Sequence, residues 1–286
     1  MTADPFLTVE DHNRDVSGMR YVYPVVSRRA GGVSIGINLN VNNACNWRCV
    51  YCQVPDLSRG SPPPIDLPLL EQELRRFLDY AINGDFMTRY VAEGDRQLQD
   101  IAFSGNGEPT SAKEFPQVLS VLDRVLHDFH LLGQPPHRIK VRLITNGSLM
   151  DKAEVLASLT HLAKLNGEVW FKLDAGTQAA IARINDVNIK PEAHLQRLLR
   201  CAALCPTFIQ TCVFAMDGEP PSEADILAYL ALLRQVKGSV QGVHLYGLAR
   251  PSYQPEAPRL SRLTHQQMAS IAERIAELGL RVHLSD

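Results

Sequence analysis

Three cysteines fall within eight residues, in the stretch Cys45-Asn46-Trp47-Arg48-Cys49-Val50-Tyr51-Cys52. The C-x3-C-x2-C spacing lets three thiolates on one loop reach one metal centre. Three ligands suit a cubane cluster with one iron left open for a small molecule, because iron–sulfur clusters otherwise take four cysteine thiolates. A zinc site would draw its fourth ligand from a Cys or His at short spacing, and the nearest downstream histidine is His127. A disulfide or chance clustering is the plain alternative, but a mostly reduced chain rarely gathers thiols this way.

Other apolar runs end in polar or reactive side chains. Ser104-Gly105-Asn106-Gly107-Glu108-Pro109 follows Ile101-Ala102-Phe103, and alone it reads as a glycine-rich turn with a surface glutamate. Thr145-Asn146-Gly147 reads as a turn before a helix. In Phe171-Lys172-Leu173-Asp174, Lys172 and Asp174 share one face of a strand. Burying either charge unpaired is costly, so the two are expected to pair. Gln210 is polar within an apolar run. His244 reads as a core histidine or a pocket wall, and Arg250 as a surface residue or an anchor for a substrate anion. Cys201 and Cys205, on one helix face, and Cys212 on the next strand read as small buried hydrophobes or as ligands of a second cluster.

The elements that would position these loops alternate. Residues 33–41 predict a strand, with the cysteine loop directly after it. A helix is predicted over 68–81, with Pro68 in its first turn, then a polar insertion over 83–100, a strand at 101–103 and a helix over 115–129. Strands at 139–144, 168–173, 207–214 and 240–246 alternate with helices over 151–162, 191–204 and 222–235. Ser222 and Asp225 give the last of these helices a capping pattern. A Pro-rich loop, 247–262, leads to a helix over 264–278 and a last strand at 281–284. Repeated strand–helix alternation means parallel β/α units. No GxGxxG follows the first strand, which removes the main marker of a dinucleotide-binding sheet. The expected class is α/β, a partial (β/α)6 barrel, with its chemistry on loops at the C-terminal ends of the strands. It divides into an N-terminal arm (1–32) with a short edge strand at 21–26, a barrel core (33–250), and a C-terminal loop, helix and strand (251–286).

The cysteine spacing, with Tyr51 before the third cysteine, resembles the signature of the radical S-adenosylmethionine (SAM) enzymes. The resemblance implies a six-strand open barrel and a [4Fe–4S] cluster on Cys45, Cys49 and Cys52. It also implies SAM chelated to the open iron, one-electron cleavage of SAM to a 5′-deoxyadenosyl radical, and hydrogen abstraction from a substrate. An external reductant of flavodoxin or ferredoxin type would supply the electron. Residues 104–109 resemble the family's GGE motif, so Gly105, Gly107 and Glu108 would grip the methionine amine. Asn106 departs from the plain GGE spacing and leaves open which carbonyls take part. Thr145 and Asn146 would meet the ribose or methionine part, Lys172 and Asp174 the ribose or carboxylate, and Tyr51 and the strand around His244 the adenine. Gln210 would line the site, and Lys172, Asp174 and Arg250 are the candidate catalytic side chains. The resemblance covers roughly residues 33–250. Residues 107–110 (GEPT), 173–175 (LDA) and the Arg250-Pro251 pair are also similar to the wyosine-synthesising tRNA enzymes.

Composition limits the alternatives. Of 286 residues, 45% are hydrophobic and 21% charged, as in ordinary globular enzymes. The formal charge of −2 gives no overall electrostatic case for nucleic acid. No apolar run approaches a membrane span, no signal-peptide pattern opens the chain, and unpaired-looking cysteines point to a reducing cytoplasm. Residues after 262 contain no cysteine, so a cysteine-rich C-terminal extension like that of peptide-modifying relatives is not expected. Three rivals stand beside the main reading. One is cleavage of SAM to a 3-amino-3-carboxypropyl radical. Another is tRNA modification, opposed by the charge and by the lack of cysteines before Cys45. The last is a non-catalytic metal or redox module, opposed by the 104–109 loop.

Overall fold

The computed structural model describes residues 7, 18–27, 31–133 and 138–285. Much of the expected arm, residues 1–6, 8–17 and 28–30, lies outside the described residues. Strand β1 (Val22–Ser27) runs antiparallel to β2 (Gly32–Ile37). The chain then enters the cysteine loop, where β3 (Ala44–Cys45) and β4 (Ser58–Arg59) pair in parallel. Helix α1 (Leu67–Ile82) opens on Asp66, whose carboxylate accepts the Leu69 N–H. The polar insertion holds a short helix, α2 (Phe86–Tyr90), docked through Phe86 on Phe77 and Tyr80 of α1.

Parallel units follow: β5 (Leu98–Phe103) with α3 (Phe115–Asp128), then β6 (Lys140–Thr145) with α4 (Ala153–Lys164). Strand β7 (Gly167–Lys172) carries two helices, α5 (Gln178–Asn185) and α6 (Pro191–Leu204). Strand β8 (Thr207–Cys212) continues into a two-residue strand, β9 (Ala215–Met216), and α7 (Glu223–Val236). From β10 (Gly242–Tyr246) a loop carrying β11 (Leu260–Ser261) reaches α8 (His265–Ala276) and β12 (Val282–Ser285). Residues 176–190 carry no expected element, yet α5 lies there. Thr177 caps it by accepting the Ala180 N–H, and Asp186 ends it in the left-handed region at φ 53°. Eight residues are too few for helical periodicity to stand out.

Eight strands form one sheet in the order β1-β2-β5-β6-β7-β8-β10-β12, parallel except for β1. The sheet curls into a half-barrel, the expected open barrel of six β/α units with one more strand at each edge. Alternate residues face opposite sides of a strand. Ile35, Ile101, Leu143, Val169, Ile209 and Val243 are fully buried against Leu74, Leu119, Leu159, Leu198 and Leu233 of the helices. The opposite, concave face carries the polar set. Near its N-terminal end Arg142 donates to Asp100 and to Glu168 Oε1 (2.8 Å). Ser34 Oγ donates to Asp100 (2.5 Å), and Trp170 Nε1 to Glu168 (3.0 Å). Nearer the C-terminal rim, Lys172, Gln210 and His244 lie side by side in register. Among the described residues no helix is long and apolar enough to cross a membrane.

Candidate active site

The cysteine loop rises from the C-terminal end of β2 and is held on three sides. Helix α5 supplies two carbonyls: Arg48 N–H donates to Asn185 O (3.3 Å) and Val50 N–H to Ile184 O (2.8 Å). The β6–α4 turn supplies Asn146, whose amide donates to Asn46 Oδ1 (2.8 Å), while Asn46 donates to Ser148 Oγ (2.7 Å). The Pro-rich loop forms a strap. Ser252 Oγ donates to Val50 O (2.7 Å), Tyr253 N–H to Cys52 O (2.9 Å), and Glu256 binds Arg48 through both oxygens (2.9 Å each). Arg250 donates to Gln53 Oε1 (2.6 and 2.9 Å) and so belongs to this strap.

Glu108 joins the loops after β5 and β6. Its Oε1 accepts from Thr110 Oγ1 (2.6 Å) and Thr145 Oγ1 (2.7 Å), and its Oε2 accepts the Asn146 N–H (2.6 Å). Burial holds its carboxyl above the ordinary range, against these donors. The loop before it lies hard against the residues after β2. Asn38 Oδ1 accepts the Asn106 N–H (3.1 Å). A Cβ on Gly105, whose φ is +137°, would strike the Asn38 side chain, and one on Gly107 would strike Ala44 O. Asn106 donates its amide to Asn43 Oδ1 (2.5 Å), and its own Oδ1 is buried with no hydrogen-bond partner.

Lys172 and Asp174 do meet, with Tyr51 between them. Lys172 Nζ donates to Tyr51 Oη (2.6 Å), Tyr51 Oη donates to Asp174 Oδ2 (2.6 Å), and the direct Lys172–Asp174 separation is 3.9 Å. Asp174 also accepts the Cys212 N–H (2.9 Å) and the Asn185 amide (2.7 Å). Burial opposes the Lys172 charge, but the neighbouring Asp174 carboxylate keeps its pKa well above the usual value. A cavity of about 420 Å³ opens beside this group, lined by Asp174, Cys212 and Phe214 and by Arg183 and Asp225 at its polar side.

Gln210 is buried, with its amide 3.2 Å from Trp170 O. His244 is buried in a ring cluster with Trp170, Phe208 and His283. Cys201 and Cys205 sit in the helix-side core, where Cys205 contacts Gly167 O, whereas Cys212 packs with the cysteine loop, so these three are not brought together. The sequence reading missed Asn38, Asn46, Asn185, Ser252 and the Arg48–Glu256 pair. The asparagine-rich run 38–46 was the visible signal for the first two.

The residues fit an iron–sulfur cluster. Cys45 Sγ already accepts the Trp47 N–H (3.4 Å), and Cys49 Sγ accepts from Asn185 Nδ2 (3.3 Å). Burial pushes the Cys45 thiol up to about 11 and the Cys49 thiol to about 12. A bound cationic centre would reverse that, and loading releases the protons. No three His, Cys, Asp or Glu side chains among the described residues are gathered to hold a single metal ion.

The fold is thus a half-barrel of parallel β/α units with a three-thiol loop after its first parallel strand. The family model described as the Radical SAM superfamily matches residues 39–230, and the chain belongs to that superfamily. Among curated proteins it is similar to a GTPase Obg of Brachyspira hyodysenteriae, 25% identical over 188 residues, covering 65% of this chain and 24% of that one. It is also similar to a UPF0026 protein of Synechocystis sp., 25% identical over 165 residues, covering 57% and 52%. The chain thus spans about a quarter and about half of the length of these two relatives. Among solved structures it is similar to a radical SAM methyltransferase from Sphaerobacter thermophilus (TM-score 0.57, 14% identity, 94% of this chain and 70% of that one). It is likewise similar to Streptococcus suis SuiB bound to SAM (TM-score 0.54, 11% identity, 90% and 47%). At these identities the likeness is one of fold. These likenesses do not confirm the resemblance to the wyosine-synthesising enzymes.

Proposed function

We propose that this chain is a radical SAM enzyme in which Cys45, Cys49 and Cys52 each hold one iron of a [4Fe–4S] cluster and SAM takes the fourth. The observation that carries the reading is the convergence of the three-thiol loop with Glu108 and Asn146, at the rim where barrels of this kind do chemistry. When bound, the cluster supplies one electron to SAM and so a 5′-deoxyadenosyl radical. Glu108 Oε2 has a lone pair left for a cationic amine, a charge-assisted bond, and Asn106 Oδ1 is a second acceptor nearby in sequence. Gly105 and Gly107 permit the close approach of backbone carbonyls. Thr145 and Asn146 hold Glu108 in place. Tyr51 and Phe214, in ring contact (5.6 Å), offer an apolar wall to the nucleoside. Lys172 keeps its proton and serves as an anion or hydroxyl partner, and the strap at 250–256 screens the cluster from water. A flavodoxin- or ferredoxin-type donor supplies the electron, and a reducing cytoplasm suits six cysteines that form no disulfide among the described residues.

Anaerobic reconstitution with iron and sulfide, followed by SAM and dithionite, tests this by mass spectrometry. The expected product is 5′-deoxyadenosine, absent with Cys49→Ala. 5′-Methylthioadenosine instead would replace the reading with aminocarboxypropyl chemistry.

A further inference from the structure

We propose that Asn185 is a positioning residue for the cluster, donating its side-chain amide to Cys49 Sγ and thereby raising the cluster's reduction potential. The inference rests on Cys49 being a cluster ligand, as proposed above. Asn185 is the last residue of α5 and is almost fully buried. Its Nδ2 has two hydrogens and two acceptors, Asp174 Oδ2 at 2.7 Å and Cys49 Sγ at 3.3 Å. A carboxylate and a thiolate only accept, so the amide must present its nitrogen to both. Asp174 is itself fixed by Tyr51 Oη and the Cys212 N–H, so rotating the amide away would strip a buried carboxylate of a donor. The same helix end grips the backbone on both sides of Cys49, through the Arg48 and Val50 N–H groups. Donor and sulfur therefore cannot drift apart independently.

A donor aimed at a ligating sulfur withdraws charge from it and favours the more negative, reduced cluster; hydrogen bonds to sulfur are among the factors that set such potentials. One electron passes from a flavodoxin- or ferredoxin-type donor, which is oxidised, to the cluster, which is reduced. Asn185 lowers the demand on that donor.

The test is an EPR-monitored potentiometric titration of the anaerobically reconstituted full chain, with iron and sulfide counted. Asn185→Leu removes the donor at similar volume, Asn185→Ala leaves room for water, and Asn185→Gln retains an amide. The expected result is wild-type loading in the Leu or Ala variant, with its reduction equilibrium shifted about tenfold toward the oxidised form, about 59 mV for one electron. Asn185→Gln should recover part of that shift. An unchanged potential in a loaded Leu or Ala variant overturns the inference. So does failure of both to hold four irons while keeping wild-type circular dichroism, which leaves a purely structural role. Cys49→Ala distinguishes the prior reading: if it binds the same cluster with the wild-type spectrum, the ligand assignment itself has failed.

Discussion

At the N-terminal end of the concave face, Asp100 and Glu168 lie beside Arg142, with Lys140 Nζ 3.5 Å from Glu168. Two acids meet two bases, and Arg142 also lies over the Trp170 ring (4.8 Å). At the C-terminal rim, Glu108 and Asp174 are as deeply buried, yet their donors are mostly neutral: hydroxyls, amides and backbone N–H groups. The one ammonium near them, Lys172, reaches Asp174 mainly through Tyr51. The floor is electrically complete, whereas these rim groups carry an excess acid that a cation would relieve. SAM, with its sulfonium and amine, is such a cation. The same residue types thus act as structure at one end and as an unfinished site at the other.

The contrast breaks most visibly if Arg142 is removed. Arg142→Met strips Asp100 of its guanidinium and leaves Glu168 with Lys140 as its cation, which should cost about 3–5 kcal/mol in urea unfolding. SAM affinity per folded molecule should stay at the wild-type value. A loss of SAM binding without a loss of stability would erase the distinction between floor and rim.

His194 lies beneath the rim and comes next in size. Its Nε2 donates to Lys172 O (2.8 Å), its Nδ1 is buried without a partner, and burial lowers its pKa to about 4. Below pH 6.5 the unfolded chain takes up a proton that the fold refuses, so stability should fall as pH drops from about 6.5 toward 4. The limit is about 3 kcal/mol. His194→Leu should flatten that part of the pH–stability curve, and an equal acid slope in both proteins would count against a neutral support under the rim.

The smallest effect sharpens the contrast from the other side. Ser252→Ala removes the hydroxyl that donates to the Val50 and Cys52 carbonyls and accepts the Gln254 N–H, and should cost about 1 kcal/mol of stability. It should nonetheless speed the loss of iron to a chelator, which Arg142→Met should not do.

Much of this was legible in the sequence because it repeats. Strand alternation and helix periodicity mark six β/α units, and the strand ends and the loops after them hold the cysteines, Glu108, Thr145, Asn146, Lys172 and Asp174. The pairing of Lys172 with Asp174 was visible as a same-face relation, but the interposed Tyr51 hydroxyl was not, since it comes from a loop 121 residues away. Helix α5 escaped notice because it is short, and with it Asn185 and Asp186. Arg250 reads as a surface residue or an anion anchor and Ser252 carries no reading, because nothing in a Pro-rich run reveals that its polar atoms turn inward onto another loop.

The strap also has a consequence for synthesis. Arg48 leaves the ribosome 208 residues ahead of Glu256. At about 5–20 residues per second, that is a delay of roughly 10–40 s. Through that interval the three thiols exist on a loop that lacks its last support, open to oxidation and to stray metals. Iron acquired then would meet an unclosed cage. Under the proposed ligation, lasting metallation would therefore belong after the Pro-rich loop has been made and has closed on Arg48.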